Sequence, residues 1–461
     1  MTKKTKAIIG WCFYDFANSS FTTIVVTFIY SAFFANFIVG NEAIGQMYWG
    51  NAITICAIII ALLSPIMGAV ADQGGYRKTF LLFWTWVCII FSVLLFFPKQ
   101  GDIYTALILF SIANIAFEMG IVFCNAYVPL ISNKDNMGKI SGYGYAFGYL
   151  GGLLALVVGL VTIASDQPMF GISTIDGENY RSMNLLVAIW FLLFSIPTFL
   201  WLDKDDRKRK ININLLKDAF NQLSKTFNDI KKIKNTIRFL FARLFYNDAL
   251  ITMFSFGGII ATGVYGFNLE KMLIFGIVLG VSAGLGAFLM GFIDDYIGPK
   301  KTIQISNFLL IIATCLVVFV DSETIFWLAG ILVGFASGPN QSSSRSLMAR
   351  FSPKNKQNEF FGFFAFSGKI TAFLGPFLLA QVTYVYLKYS NFYTVSNQIS
   401  YNISGFLDKN DPVDWSNIII LVNSMNQTSN TAQKVGVSVV LVLLVIGSVI
   451  LHFVDENKKD N

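Results

Sequence analysis

Apolar runs of roughly 20 residues, about twelve of them in succession, constrain this chain more than any other feature. Hydrocarbon offers a backbone N–H or C=O no partner outside its own segment, so runs of this kind cross as helices. They fall at about 7–39, 48–70, 79–97, 104–127, 141–163 and 183–202, and again at about 239–264, 272–293, 303–320, 324–349, 360–387 and 435–454. Only 13% of the residues are charged, against about 25% in soluble domains, which agrees with a membrane protein. The start, MTKKTK, has the basic flank of a signal peptide, but the apolar run behind it is too long and lacks a small-residue cleavage site. It is expected to stay as the first span.

Between the second and third runs lies GAVADQGGYRK, at 68–78. Its Gly68, Asp72, Gly75, Arg77 and Lys78 recur at one constant offset as Gly291, Asp295, Gly298, Lys300 and Lys301 in GFIDDYIGPKK, between the eighth and ninth. A duplicated, charged, glycine-bearing hinge implies two equivalent halves. The expected fold is therefore all-α, with twelve transmembrane helices in two pseudo-symmetric six-helix bundles. Residues 1–202 form the first bundle, 203–238 a connecting linker, and 239–461 the second bundle. The second bundle includes a long polar insertion at 388–434, read as a loop or a small lid with an apolar patch at 418–422 too short to cross. In the linker, DKDDRKRK precedes a stripe of Leu216, Phe220, Leu223, Phe227, Ile230 and Ile237, which predicts an amphipathic helix on the headgroups or a solvated linker helix.

With both termini inside, most of the 34 Lys and Arg fall in inner loops and tails. The outer loops keep Lys99, Arg181, Lys271, Lys388, Lys409 and Lys434. The positive-inside rule then predicts a multi-pass protein with cytoplasmic termini, and an inner (plasma) membrane is its expected place. The net charge of +7 is explained by this placement and does not point to nucleic acid. Five cysteines sit singly in apolar runs and the lone His452 ends the last one, so neither metal nor cofactor is expected. No nucleophile elbow, metal-binding histidine pair or phosphate loop is present, and no catalytic residue is assigned.

The paired hinge resembles the signature loop of the major facilitator superfamily, in which two halves rock about a central site. Gln73 and Tyr76 stand where that loop commonly carries basic residues, leaving Asp72, Arg77 and Lys78 as its charge carriers. WCFYDFANSSF at 11–21, SGYGYAFGYLGG at 141–152 and SSSRSLMARFSPKNKQNEFFGFFAFSGK at 342–369 resemble the branch related to the autophagy-linked vacuolar amino-acid effluxers. The resemblance implies a secondary transporter for amino acids or similar small solutes, working as a monomer in the bilayer, with a coupling proton or cation as an option. The alternatives are a transporter-fold receptor or scaffold without flux, and a carrier for another organic solute.

Charges within spans are costly and hence functional candidates. Asp15, Asp248 and Lys369 lie roughly 12 to 15 Å from the inner end of their spans at about 1.5 Å per residue, with Arg345 somewhat nearer that end. Three readings stay open: ion pairs that gate the inner side, contacts to substrate with Arg345 on a carboxylate, or static pairs. Glu118, with no basic partner nearby in sequence, is read either as a proton carrier or as a hydrogen-bonded neutral acid. Asn18, Ser19, Asn125, Asn247 and Gln341 are expected to line the cavity, and span ten to break near Gly338 and Pro339. Gly144, Gly148 and Gly152 read as a packing face, and the hinge residues as a conformational latch.

Overall fold

The computed structural model describes residues 1–165, 167–205, 209–210, 212–228, 233–406 and 415–456, and these contain helices but no strand. Eleven helices among them are long and apolar enough to cross a membrane. A twelfth, Glu323–Phe351, has the length but carries the polar run 340–346. In chain order, spans one to six are Lys3–Ile38, Ile44–Gly74, Arg77–Leu94, Ile103–Ile131, Met137–Thr162 and Ile175–Trp201. Spans seven to nine are Lys234–Gly263, Ile274–Ile297 and Pro299–Phe319. Span ten is Glu323–Phe351, and spans eleven and twelve are Gln357–Ser390 and Asn430–His452.

Each half packs mostly on itself, and the halves meet along two seams, span two on span eleven and span five on span eight. Glycines permit the first seam. A Cβ on Gly68 would collide with the Asn358 carbonyl, and one on Gly362 would lie 2.5 Å from the Ser64 carbonyl. Both chain ends lie on one face, where Lys3 pairs with Asp203 at 2.8 Å and the Lys300 amide donates to Glu456.

Several local expectations need correction. Span one contains two π-helical stretches, Phe21–Phe28 and Phe34–Ile38. Residues 22–27 are all β-branched and crowd the preceding turn of an α-helix, a strain that a wider coil relieves. Span ten does not break at Pro339. Its helix runs through, with Ser342 Oγ donating to the Pro339 carbonyl at 3.4 Å and Gly338 lying against the backbone of Ala283 in span eight. The break is in span eleven, where turn residues 370–373 separate Gln357–Lys369 from Leu374–Phe406.

The linker helix forms over Ile213–Asn228. Leu215, Ala219 and Leu223 pack on Ala69 and Val70 of span two, while Leu216 and Phe220 of the expected stripe are exposed. Gln222 donates to Glu359 of span eleven and accepts from Gln73 of the hinge, which holds the Leu215 face inward. Of the expected stripe, the side chain of Phe227 and all of Ile230 lie outside the described residues, and Ile237 belongs to span seven. The described residues of the insertion at 388–434 are helical rather than a loop. Helices Leu374–Phe406 and Trp415–His452 continue into it, consistent with the absence of glycine and proline between Lys388 and Ser404. Most of its DKNDPVDW segment, 408–414, lies outside the described residues.

Candidate functional site

The duplicated hinge places its acids across the seams. Asp72 accepts from the backbone N–H of Asn358 at 3.2 Å and of Glu359 at 2.8 Å, at the amino end of span eleven. The Asn358 side chain adds a third bond at 2.7 Å, and Arg77 reaches Asn358 and Gln357 at 3.2 and 3.1 Å. In the second copy, Asp295 accepts from the Gly138 and Lys139 amides at 2.7 and 3.1 Å, at the amino end of span five. Each acid thus meets the positive end of a helix of the opposite half, worth about 0.3–2 kcal/mol. Gly75 ends span two in the left-handed region with φ 70°, where glycine carries no Cβ strain.

The hinge lysines stay within their own halves. Lys78 Nζ donates to the Leu202 carbonyl at the end of span six, and Lys300 Nζ to the His452 carbonyl at the end of span twelve. Gly291 packs against the Gly138 backbone, Gly298 precedes span nine with φ 93°, and Lys301 is exposed. Asp294, beside the expected Asp295, is itself buried and accepts from Ser346 at 3.2 Å.

Near mid-span, two ion pairs cross between the halves. Arg345 of span ten reaches into the first half, where Nη1 meets Asp15 at 2.9 Å and Asn125 at 3.1 Å. Its Nε donates to Ser141 Oγ at 2.9 Å and its Nη2 to the Ser141 carbonyl at 2.7 Å. The guanidinium is flanked by the Trp11 and Tyr145 rings at 4.5 and 4.3 Å. So many partners leave it little capacity for a solute carboxylate in this conformation. Lys369, at the break of span eleven, meets Glu118 of span four at 2.5 Å. Glu118 therefore has a basic partner that lies far away in sequence.

Asp248 joins neither pair. Its Oδ2 accepts the Gly375 amide at 2.8 Å, capping the second segment of span eleven within its own half. The free helix end made by the break explains this, since it presents unpaired amides that a carboxylate satisfies. Asn247 donates to the Gly368 carbonyl at 3.2 Å and accepts from Gln341 at 3.0 Å, so these two amides form a chain beside Lys369. Ser19 turns back to the Asp15 carbonyl, and Asn18 is buried with an Nδ2 that has no partner. Gly144 and Gly148 face Asp15 and Ser19 of span one, and Gly152 faces Thr23.

Arg243 was not singled out in sequence, yet it is buried in span seven and donates to the Phe364 carbonyl at 2.8 Å and Ser367 Oγ at 3.0 Å. The signal was its position inside the run 239–264. With it, the charges of the layer separate by half. The acids Asp15 and Glu118 come from the first six spans and the bases Arg243, Arg345 and Lys369 from the second, whose own acid, Asp248, is held by a helix end. An apolar pocket among spans seven to twelve is a different place: about 70 Å³, lined by Phe256, Phe275, Leu279, Val317 and Phe326.

Comparison with known proteins bears on this arrangement. The family described as "Vacuole effluxer Atg22 like" matches residues 50–394. An uncharacterized MFS-type transporter, YxiO of Bacillus subtilis, is 26% identical over 82% of this chain and 89% of its own. Autophagy-related protein 22 of Coccidioides immitis is 21% identical over 74% of this chain and 68% of its own. Among solved structures, the human organic anion transporter MFSD10 superposes with a TM-score of 0.69 at 10% identity, covering 98% of this chain and 100% of its own. The proton:xylose symporter XylE gives 0.63 at 13% identity, covering 99% and 96%.

Proposed function

Because this chain belongs to the Atg22-like vacuole effluxer family of major facilitator transporters, a family of carriers and not of enzymes, we propose that it moves a zwitterionic small solute, an amino acid or related metabolite, by alternating access. The observation that carries the substrate class is the separation of charge, with acids on one half and bases on the other. When the halves part, each is left with buried charge of one sign, at a cost of several kcal/mol. A solute with an ammonium and a carboxylate offsets both.

The ion pairs Asp15–Arg345 and Glu118–Lys369 serve as the gate of the termini face, and the two hinge copies latch that face when it is shut. Both termini are assigned to the cytoplasm of a bacterial plasma membrane, on the strength of the basic inner loops. Monomeric action and a coupling proton or cation belong to the same reading. A second reading, an organic anion as solute, is favoured by the three bases and by the name of the human structural neighbour.

The test is flux into proteoliposomes of purified protein, with amino acids, organic acids, sugars and peptides in turn. Saturable flux of amino acids is expected. Flux of organic acids alone would favour the second reading, and the absence of any flux would leave a receptor or scaffold.

A further inference from the structure

Arg243 holds a positive charge that no carboxylate pairs with among the described residues. Its side chain is 6% exposed, its face lies 3.7 Å from the centre of the Phe364 ring, and its Nε is buried without a partner. A carbonyl and a hydroxyl serve Nη1, but neither supplies negative charge. Burying a guanidinium this way is costly unless an anion joins it. Glu118 lies within electrostatic reach of Arg243, yet its carboxylate is taken by Lys369. One acid of the first half therefore lies in reach of two bases of the second and is paired with one of them.

The polarity around Arg243 fits a small anion. Gly368 lies so close to the guanidinium that a Cβ there would come within 2.7 Å of Nη1, and its carbonyl anchors the chain of Asn247 and Gln341 amides. A carboxylate matches the planar fork of a guanidinium, which a single point charge does not. We propose that Arg243 and Lys369 form the carboxylate subsite for the transported solute, and that the solute takes Lys369 away from Glu118 as it binds. The inference rests on the carrier reading and adds to it a trigger: binding itself opens one of the two ion pairs across the halves. Glu118 is then an internal competitor for the subsite.

Competition gives two changes of opposite sign. Titration of the purified protein with the amino acids that it transports, and with their carboxamides, should show Arg243→Gln weakening the acids by about tenfold or more, equivalent to 1.4 kcal/mol per decade. Arg243→Lys should fall between, and Glu118→Gln should bind the acids several-fold more tightly while slowing their flux. The carboxamides should bind the wild type poorly. Equal affinity of wild type and Arg243→Gln for the acids would overturn the subsite, as would carboxamides binding as well as acids, or weaker binding by Glu118→Gln. Should Arg243→Gln not fold, the lysine variant and the carboxamides decide alone. Amino-acid flux that survives in Arg243→Gln at unchanged affinity refutes the subsite and leaves the carrier, whereas a wild type that moves no solute refutes both.

Discussion

The two ion pairs that cross between the halves are held very differently. Arg345 and Asp15 have side chains 3% and 14% exposed, and Ser141, Asn125 and two aromatic faces occupy the guanidinium. Lys369 and Glu118 are 28% and 18% exposed and meet beside a helix break, with a second base, Arg243, within electrostatic reach of the same acid. The first pair is enclosed and saturated, and the second is open to exchange. A pair that a solute can enter has to be the second kind, while the first suits a contact that forms or breaks only as the halves move together. Within one gate of two pairs, the difference leaves recognition to the second.

The sharpest way to break this contrast is to remove one acid at a time. Asp15→Asn leaves Arg345 buried without a counter-charge, and should cost about 3–5 kcal/mol. That loss is read as a large fall in thermal unfolding temperature in detergent, partly restored by Arg345→Gln in the same chain. A shift as small as that of an exposed pair would show the enclosure to be unimportant.

A smaller effect is expected at the hinge. Asp72→Asn and Asp295→Asn each remove a charge from a helix amino end, worth about 0.3–2 kcal/mol, and should favour opening of the termini face to similar extents. Spin labels at exposed Lys134 and Tyr296, one in each half, would report a larger long-distance fraction in both variants. Strongly unequal shifts would mean that the two copies are not equivalent. The smallest change in stability belongs to Glu118→Gln, about 1 kcal/mol or less for a partly exposed pair. Unfolding temperatures should therefore rank Asp15→Asn well below Glu118→Gln, and the reverse order would exchange the roles given to the two pairs.

Much of this was legible in the sequence because it rests on composition and repetition. Apolar runs mark spans since lipid excludes unpaired backbone, and the repeated Asp72 and Asp295 mark equivalent positions in two halves. Asp15, Arg345 and Lys369 stood out as charges within such runs, and their depth put them in one layer. What stayed hidden depends on distant partners. Glu118 meets Lys369 across the fold, and nothing near either residue in sequence announces it. Asp248 was grouped with the gating charges because its depth matched, while the span-eleven break that it caps, flanked by Gly368 on one side and by Gly375 and Pro376 on the other, was read as part of one continuous span. In the linker helix the stripe of Leu216 and Phe220 was legible, whereas the inward face of Leu215 and Ala219 was not, because Ala69 and Val70 opposite and Gln222 set it. Arg243 was visible as a charge in a run, and only its surroundings show that no acid among the described residues pairs with it.

The central claim, that the halves part at the termini face as the ion pairs open, is tested most directly by the distance between spin labels at residues 134 and 296 in liposomes, with and without a transported solute. The account predicts two populations, a short distance matching the closed seams described here and a longer one, with solute changing their ratio. A single short distance under every condition, in protein that still carries solute, would contradict it.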